Sequence, residues 1–312
     1  MRGRRKRITI GTIMRTSARD RLRTVHRNIV RLRWMALAVA CSFVSAFGCA
    51  SNYLGPSPVR GPLNWENEPA GFTTLTEWAF DQAPPTSGDV SIPGSNGWKI
   101  NYNVEPGSRL GGWVTLASDS SAPVSRSSVY DFVYPQGMVE GTAPGTVYYP
   151  FSPPERALYA GFYWKASNPF DTGTAGNKIA FIFNGGGGAG GQQFIILKPD
   201  GLLHVLPEYV GDVRWRSPNV NATRVTLGVW HRIEWYSNLD TGVNKWWLDG
   251  LLQGSYTDVV NTYPFDMFQF SATFGGCCSA RKAETDHYWF DHVRVSGPGV
   301  LAPSRITRAG GG

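Results

Sequence analysis

Four polar side chains in two stretches of alternating sequence could together remove a proton from a substrate: Tyr163 and Lys165 in ALYAGFYWK, and Arg232 and Tyr236 in WHRIEWYS. Elimination from an acidic sugar needs a cation or amide that neutralises the carboxylate, and a Tyr, His or Lys that takes the adjacent proton. The arginine supplies the first part, and the tyrosines and the lysine supply the second. These four residues are therefore the candidate catalytic set.

The two-residue period of a strand decides which way these side chains point. In WHRIEWYS, alternation places Arg232 and Tyr236 opposite Ile233 and Trp235, which suit a core. We therefore expect the polar set on an outer sheet surface. Two interpretations stay open, because one sequence does not show that the two strands share a sheet. The set is either a reactive site or a solvated face on which Arg232 pairs with Glu234.

Aromatic residues indicate a second kind of site. Eleven of the twelve tryptophans follow residue 60, and their flat faces and N–H groups suit the C–H faces and hydroxyls of sugars. Any single tryptophan is more often a core residue. The segment GDVRWRSPN has the composition of a loop, so its tryptophan is a candidate for an exposed ring. The predicted carbohydrate-binding residues are Tyr159, Tyr209, Arg214, Trp215 and Arg216.

The run GGGGAGG, residues 185–191, has the composition of a loop that cradles a phosphate. It is followed by Gln192, Gln193 and the β-forming residues FIIL, and not by Gly-Lys-Ser or Gly-Lys-Thr and a helix. The run therefore predicts a connection between two strands. Its bare backbone can be approached closely by a neighbouring chain or by a flat ligand.

The sequence predicts no metal site and no cofactor. His287 and Asp291 share one face of the strand HYWFDHVRVS, but four residues of a strand span about 13 Å, too far for one coordination sphere. The adjacent Cys277 and Cys278 lack a second Cys or His pair at zinc-ligand spacing. They are free thiols, a strained vicinal disulfide or a link to a partner.

The formal charge of +7 comes from the start of the chain. Residues 1–33 hold twelve of the 30 Lys and Arg residues and one acid, so the rest is acidic and the sequence predicts no nucleic-acid partner. The basic segment precedes about 15 apolar residues that end in small ones, which is typical of an export signal. The sequence AFGC resembles a lipoprotein cleavage box with Cys49 as the lipidated membrane anchor. Ordinary cleavage near Ala50 is the alternative.

These features divide the chain into four parts. Residues 1–49 are the predicted basic leader and signal peptide, 50–71 a flexible linker, 72–298 the folded domain and 299–312 a disordered tail. We expect the folded domain to be exported and to act in the periplasm, on the outer membrane or at the cell surface.

After residue 60 polar and apolar residues alternate in short segments, with turn residues between them. No segment keeps the spacing of an amphipathic helix of three turns. Asp249-Gly250 between alternating hydrophobics predicts a hairpin. The pattern predicts an all-β, two-sheet antiparallel sandwich. We expect one shallow groove outside it, to which Tyr163, Trp215 and Arg232 belong.

Three of these segments resemble the closing strands of the concanavalin A-like lectin and glucanase superfamily, whose fold is a jelly roll: GVWHRIEWYSN, KWWLDGLLQGSY and YWFDHVRVSG. The nearest branches are the laminin G-like modules and the heparin-lyase-like polysaccharide lyases. The similarity covers residues 228–297 most clearly. The Glu-x-Asp-x-x-Glu motif of the glucanase branch is absent from the sequence, so if the domain is an enzyme we expect a polysaccharide lyase and not a glycoside hydrolase.

The resemblance implies three possible functions. The first is an exported jelly-roll domain that binds a polysaccharide in an aromatic-lined groove. The alternatives are a lyase that cleaves uronate-containing glycans by β-elimination, and a laminin G-like adhesion module. Because proteins of one fold differ in function, the site has to decide among them.

Overall fold

The computed structural model describes residues 65–86, 88–102, 113–185, 190–209, 211–276 and 280–299. The predicted leader with Cys49, the tail from residue 300, and both Cys277 and Cys278 lie outside these ranges. No helix in the described ranges is long and apolar enough to cross a membrane. The regular structure of the described residues consists of fifteen β-strands.

The strands in chain order are β1 (Thr73–Trp78), β2 (Asp89–Ser91), β3 (Lys99–Asn101), β4 (Val114–Ala117), β5 (Val129–Tyr134), β6 (Thr146–Glu155), β7 (Ala157–Ala166), β8 (Asn177–Asn184), β9 (Gln192–Leu197), β10 (Leu203–Glu208), β11 (His231–Asn238), β12 (Val243–Leu248), β13 (Leu251–Tyr256), β14 (Phe265–Ser271) and β15 (Asp286–Gly297). Sheet A has the order β13-β12-β11-β7-β15-β5-β4, with β1 also paired to β15. Sheet B has the order β10-β9-β8-β14-β6-β3-β2. Neighbouring strands are antiparallel throughout, which confirms the predicted two-sheet fold class.

The core lies between the sheets and is built by strand alternation. In β7, Phe162 and Trp164 point into it, and in β11 Ile233 and Trp235 do the same; all four are completely buried. Each side chain of this size contributes about 2 to 3 kcal/mol when buried. The intervening residues project from the outer face of sheet A, as alternation predicts. Because β11 pairs directly with β7, the two stretches that carry the candidate catalytic set share a sheet.

The β12–β13 hairpin forms at the predicted Asp-Gly pair. Asp249 and Gly250 have φ values of 53° and 82°, the left-handed pair that a two-residue type I′ turn requires. The Asp249 carboxylate is 2.7 Å from His231 Nδ1 and accepts a hydrogen bond from the backbone N–H of Arg232 at 2.8 Å. The turn is therefore held against the start of β11.

Residues 65–71, which the sequence assigns to the flexible linker, instead pack on the outer face of sheet A; we call them the strap. Trp65 is buried, and its ring lies on Gly161, where a Cβ atom would stand 2.5 Å from Trp65 Cε3. Asn67 donates from its backbone N–H and its side-chain amide to Glu234, at 3.1 and 2.9 Å. The glycine leaves a gap in the sheet surface, and the indole fills it. Alternation within strands does not reveal such a contact, because the strap is not a strand.

We expect Trp65→Ala to lower the free energy of unfolding by about 3 kcal/mol, because it removes a buried indole and leaves a cavity over Gly161. Urea denaturation followed by circular dichroism measures the change. Leu251→Ala, at a position that is 47% exposed, is the control and should change stability by less than about 0.5 kcal/mol. A Trp65→Ala protein as stable as its parent would show that residues 65–71 act only as a linker.

Candidate functional site

The four predicted catalytic residues lie together on the outer face of sheet A. Arg232 on β11 is in register with Tyr163 on β7, and Tyr236 is in register with Tyr159. Lys165 is two residues beyond Tyr163 and projects from the same face. The structure thus brings together the side chains that alternation assigns to one side of each strand.

The strap covers this group. Tyr163 is only 4% exposed, and its ring centroid is 5.7 Å from that of Trp65. Arg232 Nε is 3.2 Å from Glu234 Oε2, and Arg232 Nη2 is 3.4 Å from Glu66 Oε2. Glu234 is completely buried. Arg232 therefore neutralises the buried carboxylate of Glu234. This is the pair that the solvated-face interpretation predicts, but the strap covers it.

Tyr159 and Tyr163 are held in their protonated form. Tyr159 is completely buried, and its hydroxyl donates to Glu234 Oε1 at 2.7 Å. Burial and the Glu234 carboxylate raise the pKa of Tyr159, and burial raises the pKa of Tyr163. A raised pKa keeps a phenol neutral at pH 7, so neither hydroxyl is a base in this arrangement. The ring of Tyr159, predicted to contact sugar, has no surface exposed to a ligand.

Lys165 contacts one carboxylate and two aromatic rings. It donates to Asp119, and its ammonium lies 4.5 Å from the Trp289 ring centroid and 5.1 Å from that of Trp230. Although burial opposes the shift, hydrogen bonds from Lys165 and Ser121 lower the pKa of Asp119 to about 2. The lysine is therefore a cation engaged by a carboxylate and two aromatic faces.

Tyr236 and Asp291 complete this face. The Tyr236 ring packs 6.0 Å from that of Phe72, and its hydroxyl accepts a hydrogen bond from Asn238 at 3.1 Å. Asp291 is completely buried and accepts a hydrogen bond from the backbone N–H of Val124 at 2.7 Å. The outer face of sheet A is therefore a second packing layer, polar and charged, closed by the strap and by the β4–β5 connection.

The outer face of sheet B carries an aromatic layer that the sequence analysis did not single out. Phe181 on β8 is in register with Phe194 on β9, which is in register with Leu206 on β10. Ile196 belongs to the same cluster, and Phe183 packs against it half-buried. The sequence does contain a signal for this layer, because KIAFIF and QQFIILK carry apolar residues on both faces of the strand.

Trp215 packs against this layer. Its ring is 43% exposed and meets those of Phe194 and His204 edge-on, at centroid distances of 6.0 and 6.4 Å and interplanar angles of 80° and 85°. The ammonium of Lys198 lies 4.3 Å from the Trp215 centroid. We call these four residues the Trp215 platform. An exposed indole that packs against other rings is already ordered, so it can stack against a flat apolar ligand face at little cost in conformational entropy.

The two arginines beside Trp215 hold the segment in place. Arg214 Nε and Nη2 lie 3.0 Å from Asp212 and 3.1 Å from Asp258. Arg216 is buried and pairs with the same two acids, at 2.7 and 3.2 Å. The backbone of Arg216 also pairs with β10. Both guanidinium groups, predicted to bind sugar, are thus engaged by carboxylates and orient the tryptophan between them.

Tyr209 is buried and lines a pocket where the β6–β7, β8–β9 and β13–β14 connections meet. The pocket has a volume of about 320 Å³ and is lined by Arg156, Gly190, Tyr209, Val260, Asn261, Thr262 and Tyr263. The Tyr263 ring packs against Gly185 and Gly190, where a Cβ atom would collide with it. The glycine run lies between β8 and β9 in the chain, as predicted, and its residues Gly185 and Gly190 contact the ring of Tyr263.

The predicted residues do not form one groove. Tyr163 and Arg232 lie on the outer face of sheet A, whereas Trp215 lies on the outer face of sheet B, with the core between them. The expectation of one trough that contains all three is corrected for a simple reason. Each sheet of a sandwich directs its outward residues to the opposite side of the molecule.

Histidines in the described part of the chain pair with acids instead of forming a metal site. No three His, Cys, Asp or Glu residues in the described ranges are grouped so that they could hold a metal ion. His287 Nδ1 is 2.9 Å from Asp131, and this hydrogen bond raises the pKa of His287. His204 Nε2 is 3.2 Å from Asp200, but burial lowers the pKa of His204. The imidazole of the Trp215 platform is therefore neutral at pH 7.

Neither a protein-family model nor a curated protein matches the sequence. Solved structures that are similar include a sialidase, at 13% identity and a TM-score of 0.43, covering 73% of this chain and 19% of that one. An alginate lyase matches at 12% identity and a TM-score of 0.44, covering 72% and 97%. An endo-acting O-glycanase of the human gut microbiota matches at 14% identity and a TM-score of 0.47, covering 72% and 99%. At this level these similarities assign no substrate and no reaction to this chain.

Asp119→Asn should lower the free energy of unfolding at pH 7 by about 1 to 2 kcal/mol, because it weakens charge-assisted hydrogen bonds. The pKa of Asp119 is about 2 in the folded protein and 3.8 as its ordinary value. The contribution of the Asp119 carboxylate to the free energy of unfolding is therefore complete above about pH 4 and is lost as the pH falls through 2. Urea unfolding of parent and variant at pH 7 and pH 2.5 measures the difference.

Lys165→Gln removes the same ion pair and is the matched control, with the same pH dependence expected. A difference between Asp119→Asn and its parent that is equally large at both pH values would contradict the role assigned to the carboxylate.

Proposed function

We propose that this domain binds a polysaccharide on the outer face of sheet B, with the exposed ring of Trp215 as the main contact. The observation that carries the proposal is the geometry of that ring. It is 43% exposed and fixed edge-on against Phe194 and His204. An exposed indole that packs against other side chains presents a flat apolar face with an N–H group at its edge, which suits a sugar ring.

The surroundings of Trp215 suit a sugar chain. The apolar face of a pyranose ring stacks on an indole, while its hydroxyls need hydrogen-bonding groups nearby. Gln269 on β14 is in register with Phe181, and Gln192 on β9 is in register with Phe183. Amide side chains therefore border the aromatic layer on the same face.

The geometry favours binding over the lyase alternative. Two of the residues that the sequence offers for proton abstraction, Tyr163 and Arg232, contact the strap. Lys165 pairs with Asp119 of the β4–β5 connection, and the Tyr236 ring packs against Phe72. Reaching Tyr163 and Arg232 would require the strap to leave sheet A. Trp215, in contrast, is exposed in the folded domain.

The sequence also supports export of this domain, with residues 1–49 as the signal and Cys49 as a lipid anchor. An anchored protein with an outward-facing glycan site would hold a polysaccharide at the membrane surface. We propose this arrangement for the mature protein. Mass spectrometry of the membrane fraction for a diacylated Cys49 tests it, and a mature form that begins at Ala50 would contradict it.

Trp215→Ala should weaken glycan binding about tenfold or more, because a stacked indole contributes about 1 to 2 kcal/mol and 1.4 kcal/mol corresponds to a factor of ten. A glycan array identifies the ligand, and isothermal titration calorimetry gives the affinity. Trp247→Ala is the matched control, since Trp247 lies on β12 of the opposite sheet and is in register with Glu234. It should leave the affinity unchanged.

The same samples distinguish the alternatives. Incubation of the parent with alginate, glucuronan and heparin, with absorbance of the unsaturated product recorded, detects elimination. Product formation would establish a lyase and show that the strap opens. Retention of the parent by no glycan on the array would overturn the proposal and favour the adhesion module.

A further inference from the structure

We propose that the pocket between the β6–β7, β8–β9 and β13–β14 connections binds one neutral sugar residue, whose ring packs on Tyr263 and whose hydroxyls accept hydrogen bonds from Arg156 and Asn261. We call this site the Tyr263 pocket. The inference goes beyond the proposed function, because the Tyr263 pocket and the Trp215 platform share no residue.

The Tyr263 pocket has the size and composition of a site for a small ligand. Its volume of about 320 Å³ is at the lower end of the range of roughly 300 to 1,000 Å³ that such sites occupy. These sites combine apolar walls with a few polar groups that orient the ligand. Here Val260 and Tyr263 supply exposed apolar atoms, and Arg156 and Asn261 supply hydrogen-bond donors.

Tyr263 provides an aromatic surface that is both exposed and supported. It is 51% exposed. A Cβ atom added at Gly185 would stand 2.7 Å from Tyr263 Cδ1, and one added at Gly190 would stand 2.4 Å from Tyr263 Cβ. The two glycines therefore let the backbone approach the base of this side chain closely. An aromatic ring held in this way suits the apolar C–H face of a sugar.

The segment that carries Tyr263 is fixed by hydrogen bonds on two sides. Arg156 Nη1 and Nη2 donate to the backbone oxygens of Thr262 and Asn261, at 3.0 and 3.1 Å. The side-chain amide of Asn261 donates to the backbone oxygen of Gly190 at 2.8 Å, and its oxygen accepts from the backbone N–H of Tyr263 at 3.1 Å. The walls are therefore formed before a ligand arrives, and binding costs little conformational entropy.

Donors remain for a ligand after these bonds are made. A guanidinium has five N–H donors. Within the described part of the chain, Arg156 uses one at Nε for Asp240 and one at each terminal nitrogen, so one N–H on each terminal nitrogen remains. The Asn261 amide likewise uses one of its two N–H donors. These remaining groups match the oxygen acceptors of sugar hydroxyls.

The charge of the Tyr263 pocket favours a neutral ligand. Among the described residues that line it, only Arg156 is charged, and Arg156 Nε is 2.6 Å from Asp240 Oδ1. An acidic ligand would have to compete with this carboxylate. A purely apolar ligand would cover the remaining donors without accepting hydrogen bonds from them, which is unfavourable. A neutral sugar has an apolar face and acceptors, so it meets both requirements.

The experiment uses the full-length Trp215→Ala protein, in which the Trp215 platform has lost its exposed ring. Saturation-transfer difference NMR titrations are performed with the methyl glycosides of glucose, galactose, mannose and N-acetylglucosamine, and with methyl glucuronoside as the acidic comparison. We expect at least one neutral glycoside to bind, and to bind more tightly than the glucuronoside.

A further Tyr263→Ala substitution should weaken that binding about tenfold, because it removes the stacking surface. Tyr263→Phe keeps the ring and should preserve most of the affinity. Val260→Ala removes two methyl groups from the wall of the pocket and should also weaken binding. Val220→Ala is its matched control, since Val220 is similarly exposed but does not line the pocket. Circular dichroism of each variant checks that it is folded, and the two valine variants decide the matter if Tyr263→Ala is not.

The two proposals fail in different ways. Binding of none of the glycosides by the Trp215→Ala protein, tighter binding of the glucuronoside, or an equal effect of Val260→Ala and Val220→Ala overturns the Tyr263 pocket. The proposed function is overturned separately, if the Trp215→Ala protein binds the polysaccharide as tightly as its parent.

Discussion

Burial of large aromatic side chains between two antiparallel sheets is the interaction on which the rest of this structure depends. Trp164, Trp235 and Trp246 are completely buried, and Phe162 of sheet A meets Phe268 and Phe270 of sheet B at ring-centroid distances of 6.4 and 5.1 Å. Each contributes about 2 to 3 kcal/mol through the hydrophobic effect. Because side chains alternate along a strand, every residue directed into this core determines the outward direction of its neighbours. The composition of both outer faces is therefore a consequence of the core.

The outer faces of the two sheets carry different types of residue. On sheet A the outward residues are charged or phenolic, and Gly161 leaves room for an indole, so the strap packs there and removes the charges from water. A buried charge is costly unless it is paired or hydrogen-bonded. On this face Arg232 pairs with Glu234 and Lys165 with Asp119, and Asp291 accepts hydrogen bonds from backbone N–H groups. In this arrangement the tyrosines, the lysine and the arginine of the outer face of sheet A take part in packing and ion pairing that stabilise the fold.

On sheet B the outward residues are aromatic, and a packed layer of rings supports an exposed one. The position of Trp215 depends on electrostatics at a distance from the ring itself. Asp212 and Asp258 bind the two flanking arginines, and these contacts fix the backbone on both sides of the tryptophan. A ring that is already ordered loses little conformational entropy when a ligand binds. Rigid support and an exposed aromatic face are together what the proposed glycan-binding surface requires.

The sequence by itself determined the fold class, the hairpin at Asp249-Gly250 and the outward direction of Arg232, because these follow from local alternation and turn chemistry. It also indicated Trp215 as a ring in a loop. Only the tertiary structure decided that Tyr163 and Trp215 lie on opposite sides, that residues 65–71 cover part of one of these sides, and that the ammonium of Lys198 lies over the ring of Trp215. The physical reason is that burial and ion pairing depend on contacts between segments far apart in the chain, and alternation within a strand carries no information about them.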